Sequence, residues 1–180
     1  SCTVTVTGEL LPFSDLAAGA WYYDDMRFAT AKEFLNGTGD GHMEPSGLVS
    51  WPAALQIVYN LAGRPGAKSE IPNWYGEALA WAQDNGLLDG LTFDTEKAVG
   101  RAEMVTLLYR FAQKKNQKLT TDTNLEDFAD ADTVPAYAQE AARWAVGCGI
   151  LKGDDSQRLN PESQLTRAQI AALLRRYIEK

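Results

Sequence analysis

Apolar residues recur along this chain with the period of a helix, and the same stripe comes three times. After Trp51 the apolar positions are Ala54, Ile57, Val58 and Leu61; after Arg101 they are Met104, Leu107, Leu108 and Phe111; after Arg167 they are Ile170, Leu173, Leu174 and Tyr177. Spacing of i, i+3, i+4, i+7 puts each set on one helical face, so each predicts an amphipathic α-helix. A second pattern precedes each stripe. Trp21, Trp74 and Tyr137 occupy equivalent positions, and a glycine follows 16 residues after each, at Gly37, Gly90 and Gly153. Between these marks Phe28, Trp81 and Trp144 coincide, as do Ala29, Ala82 and Ala145, and Leu35, Leu88 and Leu151. Three shorter helices are therefore expected, each opening on an aromatic residue. The closing glycines read as left-handed C-caps.

The chain is thus a repeat of helix, glycine turn, extended loop and helix. The loops run 14 residues from Gly37 to Trp51 and from Gly153 to Arg167, but 11 from Gly90 to Arg101, with Pro45 and Pro161 in the longer pair. Polar and Gly/Pro-bearing stretches at 63–69 and 114–126 read as linkers. The expected units are 13–63, 70–113 and 128–179, preceded by residues 1–12, whose alternating Thr3 to Thr7 forms a tail or a short strand. A unit of about 50 residues with two helices cannot bury both apolar faces alone. The three are expected to pack as one mainly α domain.

The starts of the long helices carry the candidate chemistry. Thr166 to Gln169 has the form of a capping box, Gly100 to Glu103 is a weaker version, and Ser50 is a good N-cap. These residues need no functional account. Arg101 and Arg167 do, because a cation in the first helical turn opposes the helix dipole. A guanidinium beside free N-terminal amides suits an anion, above all a carboxylate held by two hydrogen bonds. On this argument Arg167 serves a ligand more than the fold. Trp51 stands at the equivalent place in the first copy and offers an apolar face that stacks on a ring but neutralises no charge. Trp21 and Trp74 are either core anchors or faces for stacking on sugar; Trp81 and Trp144, in mid-helix, read as core.

Composition narrows the field further. Lys and Arg number 17 against 24 Asp and Glu, a net charge of -7, which gives no electrostatic reason to bind nucleic acid or an anionic membrane. No apolar run reaches the roughly 18 residues of a membrane span. No signal-like segment opens the sequence, so for an exported protein that segment lies outside it. Cys2 and Cys148 either pair or stand apart. His42 is the single histidine, so no His-based metal site or catalytic triad can be assembled. Asn36, Thr38 and Asp40 alternate as in a calcium loop, but the place for a bidentate glutamate is Gly47. No catalytic residue, cofactor or metal is expected.

Several of these features together resemble the S-layer homology (SLH) family: the openings Phe13-x-Asp15 and Phe128-x-Asp130, the aromatic helix starts, the glycine-marked helix ends, and "GRAEM" and "TRAQI" at the long helices. The resemblance covers Phe13 to Glu179. It implies a pseudo-threefold spindle of three repeats around a central helix bundle. It also implies non-covalent anchoring of a larger surface protein to the bacterial cell wall or S-layer, through secondary cell-wall polysaccharide that often bears pyruvylated N-acetylmannosamine. The residues it marks for ligand binding are Arg101, Arg167, Trp21, Trp74, Asp15 and Asp130. The sequence departs from the family at Trp51, at Gly100 in place of Thr, at Gln169 in place of Glu, and at "EIPNW", where the second copy lacks Phe-x-Asp. Trp51 and the missing Phe-x-Asp favour the alternative, a structural or protein-interaction module that keeps the scaffold without binding polysaccharide, while Arg101 and Arg167 favour binding.

Overall fold

The computed structural model describes residues 13–180. The tail or strand expected in residues 1–12 lies outside the described residues, and with it Cys2. Along the described chain run α1 (Tyr23–Ala31), α2 (Trp51–Leu61), α3 (Gly76–Asp84), α4 (Arg101–Lys114), α5 (Gln139–Gly147) and α6 (Arg167–Glu179). Two short 3-10 turns, Ala131–Thr133 and Ala136–Ala138, lead into α5. Extended pairing among the described residues is confined to isolated bridges, so the chain is mainly α, as the stripes predict.

The stripes face inward. Every stripe residue from Ala54 to Tyr177 is buried except Leu61, which is half-buried, and buried residues from each of the six helices join one contiguous cluster. Trp81 and Trp144 lie in that cluster, as their mid-helix positions require. Tyr59, Trp81, Phe111, Tyr177, Trp144 and Tyr109 form a run of aromatic contacts, with successive centroids 5.5 to 6.3 Å apart. These are edge-on or tilted geometries that add to simple burial.

The short helices end earlier than the glycine pattern predicts. The left-handed residues that stop them are Glu33 (φ 57°), Gly86 (φ 68°) and Gly149 (φ 71°). Of the three aligned glycines only Gly90 has positive φ. Gly37 and Gly153 serve a different need: a Cβ on either would stand 2.8 Å from a ring carbon of Phe13 or Phe128. The ring of the Phe-x-Asp opening lies against the glycine, and no larger residue fits beneath it. The second copy has no such phenylalanine, and a Cβ on Gly90 would meet nothing within 4 Å.

The main helix pairings run between copies, and inside a copy aromatic rings meet, Trp81 with Phe111 and Trp144 with Tyr177. α3 packs on α2, α5 on α4, and α1 on α6, so each short helix lies against the long helix of the preceding copy and the first copy closes on the last. The loops entering the long helices meet in a ring. The Val49 N–H donates to the Leu165 carbonyl (3.0 Å), Leu165 to Val99 (3.1 Å) and Val99 back to Val49 (2.8 Å). One step further on, Trp51 donates to the Lys97 carbonyl (3.1 Å), Arg101 to Ser163 (2.9 Å) and Arg167 to Gly47 (2.9 Å). Each copy therefore spends its loop amides on another copy's carbonyls, and the heads of all three long helices converge.

Candidate functional site

Pairing each long helix with the next short helix makes three grooves of matching construction. Each has an N1 residue at the head of the long helix, an aromatic residue at the head of the short one, and the loop that follows the short helix.

In the groove between α6 and α1 the N1 residue is Arg167. Thr166 caps the helix: its hydroxyl accepts from the Gln169 amide (3.3 Å), and the Gln169 side chain accepts from the Thr166 amide (3.0 Å). The half-buried Arg167 reaches into the first copy's loop. Its Nε donates to the Met43 carbonyl (2.6 Å) and its Nη2 to the Asn36 carbonyl. Asp15 holds the same loop from behind, accepting from the Met43 amide (2.9 and 3.1 Å) and the Glu44 amide (2.7 Å). Burial pushes the Asp15 carboxyl up, but the Met43 and Glu44 amides more than offset it, and the group ends below the usual carboxylate range. Burial likewise lowers the Arg167 pKa, against the opposing charges of Glu44 and Asp15.

In the groove between α4 and α5 the parts are equivalent but differently filled. Asp130, only 5% exposed, accepts from the Leu159 and Asn160 amides, both at 2.8 Å. Arg101 stands where Arg167 stands, yet its buried Nε has no hydrogen-bond partner among the described residues. Burial lowers its pKa, with Asp154 and Asp130 opposing. Gly100 brings no hydroxyl to cap α4, while Glu103 still reaches back to the Gly100 amide (2.6 Å).

The groove between α2 and α3 is closed. Trp51 is 1% exposed and packs edge-on against Phe93 at 6.2 Å, which in turn lies 6.0 Å from Tyr75. The expectation that Trp51 offers a face for a sugar ring is therefore corrected: the indole fills its own groove. The aromatic helix heads are placed otherwise. Trp21 is 66% exposed and Trp74 64%, each resting edge-on against its neighbour, Tyr22 or Tyr75, and Tyr137 is 39% exposed. They are open faces and not core anchors.

The structure thus brings Arg167 together with the Asp15-held loop, and Arg101 with the Asp130-held loop, while Trp74 heads a groove without a cation. Asp15 and Asp130 have their carboxylates engaged by amides and shape the loops. Sequence reading did not single out the Met43 and Asn36 carbonyls that hold Arg167, because a carbonyl belongs to every residue and leaves no signature. Among the described residues no group of His, Cys, Asp and Glu is placed to hold a metal ion.

With this geometry in view, the S-layer homology domain matches residues 12–50 and 127–171. Both of these segments carry the S-layer homology domain. The segment between the two matches contains α3 and α4, which take the same place in the ring as their counterparts. The surface-layer 125 kDa protein of Lysinibacillus sphaericus is 31% identical over 158 residues, which is 81% of this chain and 13% of that one. A cellulosome-anchoring protein of Acetivibrio thermocellus is 26% identical over 164 residues, covering 82% of this chain and 36% of that one. The exoglucanase XynX of the same species is 24% identical over 184 residues, or 97% of this chain and 17% of the enzyme. The S-layer homology chain spans 13 to 36% of the length of these relatives. Its place is the bacterial cell surface.

Proposed function

We propose that this S-layer homology module holds a larger surface protein to the cell wall by binding an acidic wall polysaccharide in the α6–α1 and α4–α5 grooves. It acts as an anchoring unit and performs no catalysis itself. The observation that carries this reading is Arg101: a half-buried cation at a helix head with a buried, unpaired Nε–H. Buried donors are rarely left without partners, and a carboxylate seated there would satisfy this one with a charge-assisted bond. The α4 amino terminus adds its own attraction for an anion. In this reading Arg101 and Arg167 take the acidic substituent, and the exposed Trp21 and Tyr137 stack on neighbouring rings. Asp15 and Asp130 keep the loops in place. Trp74, with no cation beside it, contributes stacking alone.

The test is sedimentation with purified cell walls, before and after chemical removal of their polysaccharide. Wild-type protein should co-sediment with intact walls. A folded Arg101→Ala, Arg167→Ala variant should lose affinity by about tenfold or more, the loss expected for a charge-assisted pair. Undiminished binding by that variant would overturn the reading. Equal binding to stripped walls would favour a protein-interaction module instead, which is the reading the closed Trp51 groove supports.

A further inference from the structure

The long helices begin at one end of the molecule, where Arg101 and Arg167 sit. α4 and α6 end at the other, about 20 Å away along helices of 14 and 13 residues. At that far end Gln117, Lys118, Cys148, Tyr177, Ile178 and Lys180 line an open cavity of about 610 Å³. Two of these residues are cations and none is an acid, in a chain whose net charge is -7. Neither lysine has an ion-pair partner among the described residues. Lys180 Nζ instead stands over the rings of Tyr177 (4.2 Å) and Trp144 (4.5 Å) and donates to Gln117 Oε1 (2.8 Å).

Beneath that ammonium two buried polar atoms lack a hydrogen-bond partner among the described residues, the Tyr177 hydroxyl and Trp144 Nε1. Buried polar groups are seldom left so. Tyr177 is 3% exposed and forms part of the cavity wall, so its hydroxyl is a donor without an acceptor at this place. Cys148, the C-cap of α5, is half-buried and brings its thiol to the same wall. Burial lowers the Lys180 pKa and a charge on Cys148 opposes this, so the amine and the sulfur are within electrostatic reach of each other.

We propose that Cys148 is a modification site, which forms a mixed disulfide with a small thiol that bears a carboxylate. The Cys148 thiolate attacks one sulfur of an incoming carboxylate-bearing disulfide. A new S–S bond forms to Cys148, the old one breaks, and the other half departs as a thiolate that takes up the proton Cys148 gave to water. The incoming disulfide is the oxidant: Cys148 is oxidised and the departing half is reduced. Lys118 and Lys180 draw the anionic disulfide in and supply the opposite charge for the carboxylate that stays, and the Tyr177 hydroxyl donates to it. Cysteines that exchange in this way sit in electropositive, partly exposed surroundings, and at a cell surface disulfides persist. The reaction leaves both arginine grooves free, because it takes place at the opposite end of the long helices.

The experiment follows chromophore release from two disulfides on Cys2→Ser protein, in which Cys148 is the sole cysteine. One is dithiobis(nitrobenzoate), which carries carboxylates, and the other is neutral dithiodipyridine. Lys118→Gln with Lys180→Gln should slow the anionic reagent roughly tenfold or more, the lower end of electrostatic steering, and change the neutral one little. Added salt should erode the preference in the parent protein. Lys118→Gln alone, at an exposed side chain, should show part of the effect even where the double variant fails to fold. Glutathione disulfide should add one half-molecule to the Cys2→Ser chain by intact mass, and none once Cys148→Ser is also introduced. No adduct, an equal effect of the lysines on both reagents, or no effect on either overturns the proposal. So does a Cys2–Cys148 bond in the wild-type chain, which leaves no thiol to exchange.

Discussion

A guanidinium carries five N–H groups, and what they find decides whether an arginine serves the fold or a ligand. Arg167 commits two of them to carbonyls that lie 124 and 131 residues away along the chain. That contact ties the last long helix to the first copy's loop, so the expectation that Arg167 matters little to the fold needs revising. Hydrogen bonds to charged groups are worth about 1.5 to 3 kcal/mol. Arg167→Ala should accordingly lower the melting temperature by roughly 3 to 10 °C in a chain of this size. Arg101→Ala, which breaks no such bond, should lower it much less, and differential scanning calorimetry of the two variants measures the contrast. Equal losses would show that the distinction drawn from the bonding is wrong. Sequence could place both arginines at helix heads, because capping chemistry leaves a signature. It could not tell them apart, because the partners of Arg167 are main-chain carbonyls, and every residue has one.

Helices were legible because burial on one face imposes a period, and all three stripes lie in the core. Their ends were less so. Phe-x-Asp and the aligned glycine proved to be one device, a ring packed on a bare Cα, and not a left-handed cap. The pairing of helices across copies left no mark on the sequence, since an apolar stripe does not name its partner. The closed α2–α3 groove shows what replaces the arginine and aspartate when both are missing: Trp51 and Phe93 pin the shorter loop by packing. Truncating a buried aromatic of that size costs about 3 to 5 kcal/mol. Trp51→Ala should therefore destabilise the protein by that amount in chemical denaturation, more than the loss of either arginine. A cost below 1 kcal/mol, the range of an ordinary surface change, would mean that the groove is not held by its plug.

At the scale of the molecule, the mutual bonds of Val49, Val99 and Leu165 make the three copies one cooperative object. Breaking any of these bonds exposes the junction that the other two complete. In native-state hydrogen exchange their three amides should share one protection free energy, equal to that of global unfolding. A markedly lower value at any one would show a copy opening independently. The closing of α1 on α6 has a mechanical meaning as well. A tether joined before α1 loads first the ties of Phe13 and Asp15 to the first copy's own loop, the loop that Arg167 holds to the head of α6. Behind those ties α1 lies against α6, so the load passes to the contact between the first and last copies. An anchor under tension from that side thus resists through a bond between its two most distant sequence segments, in the manner of a clasp.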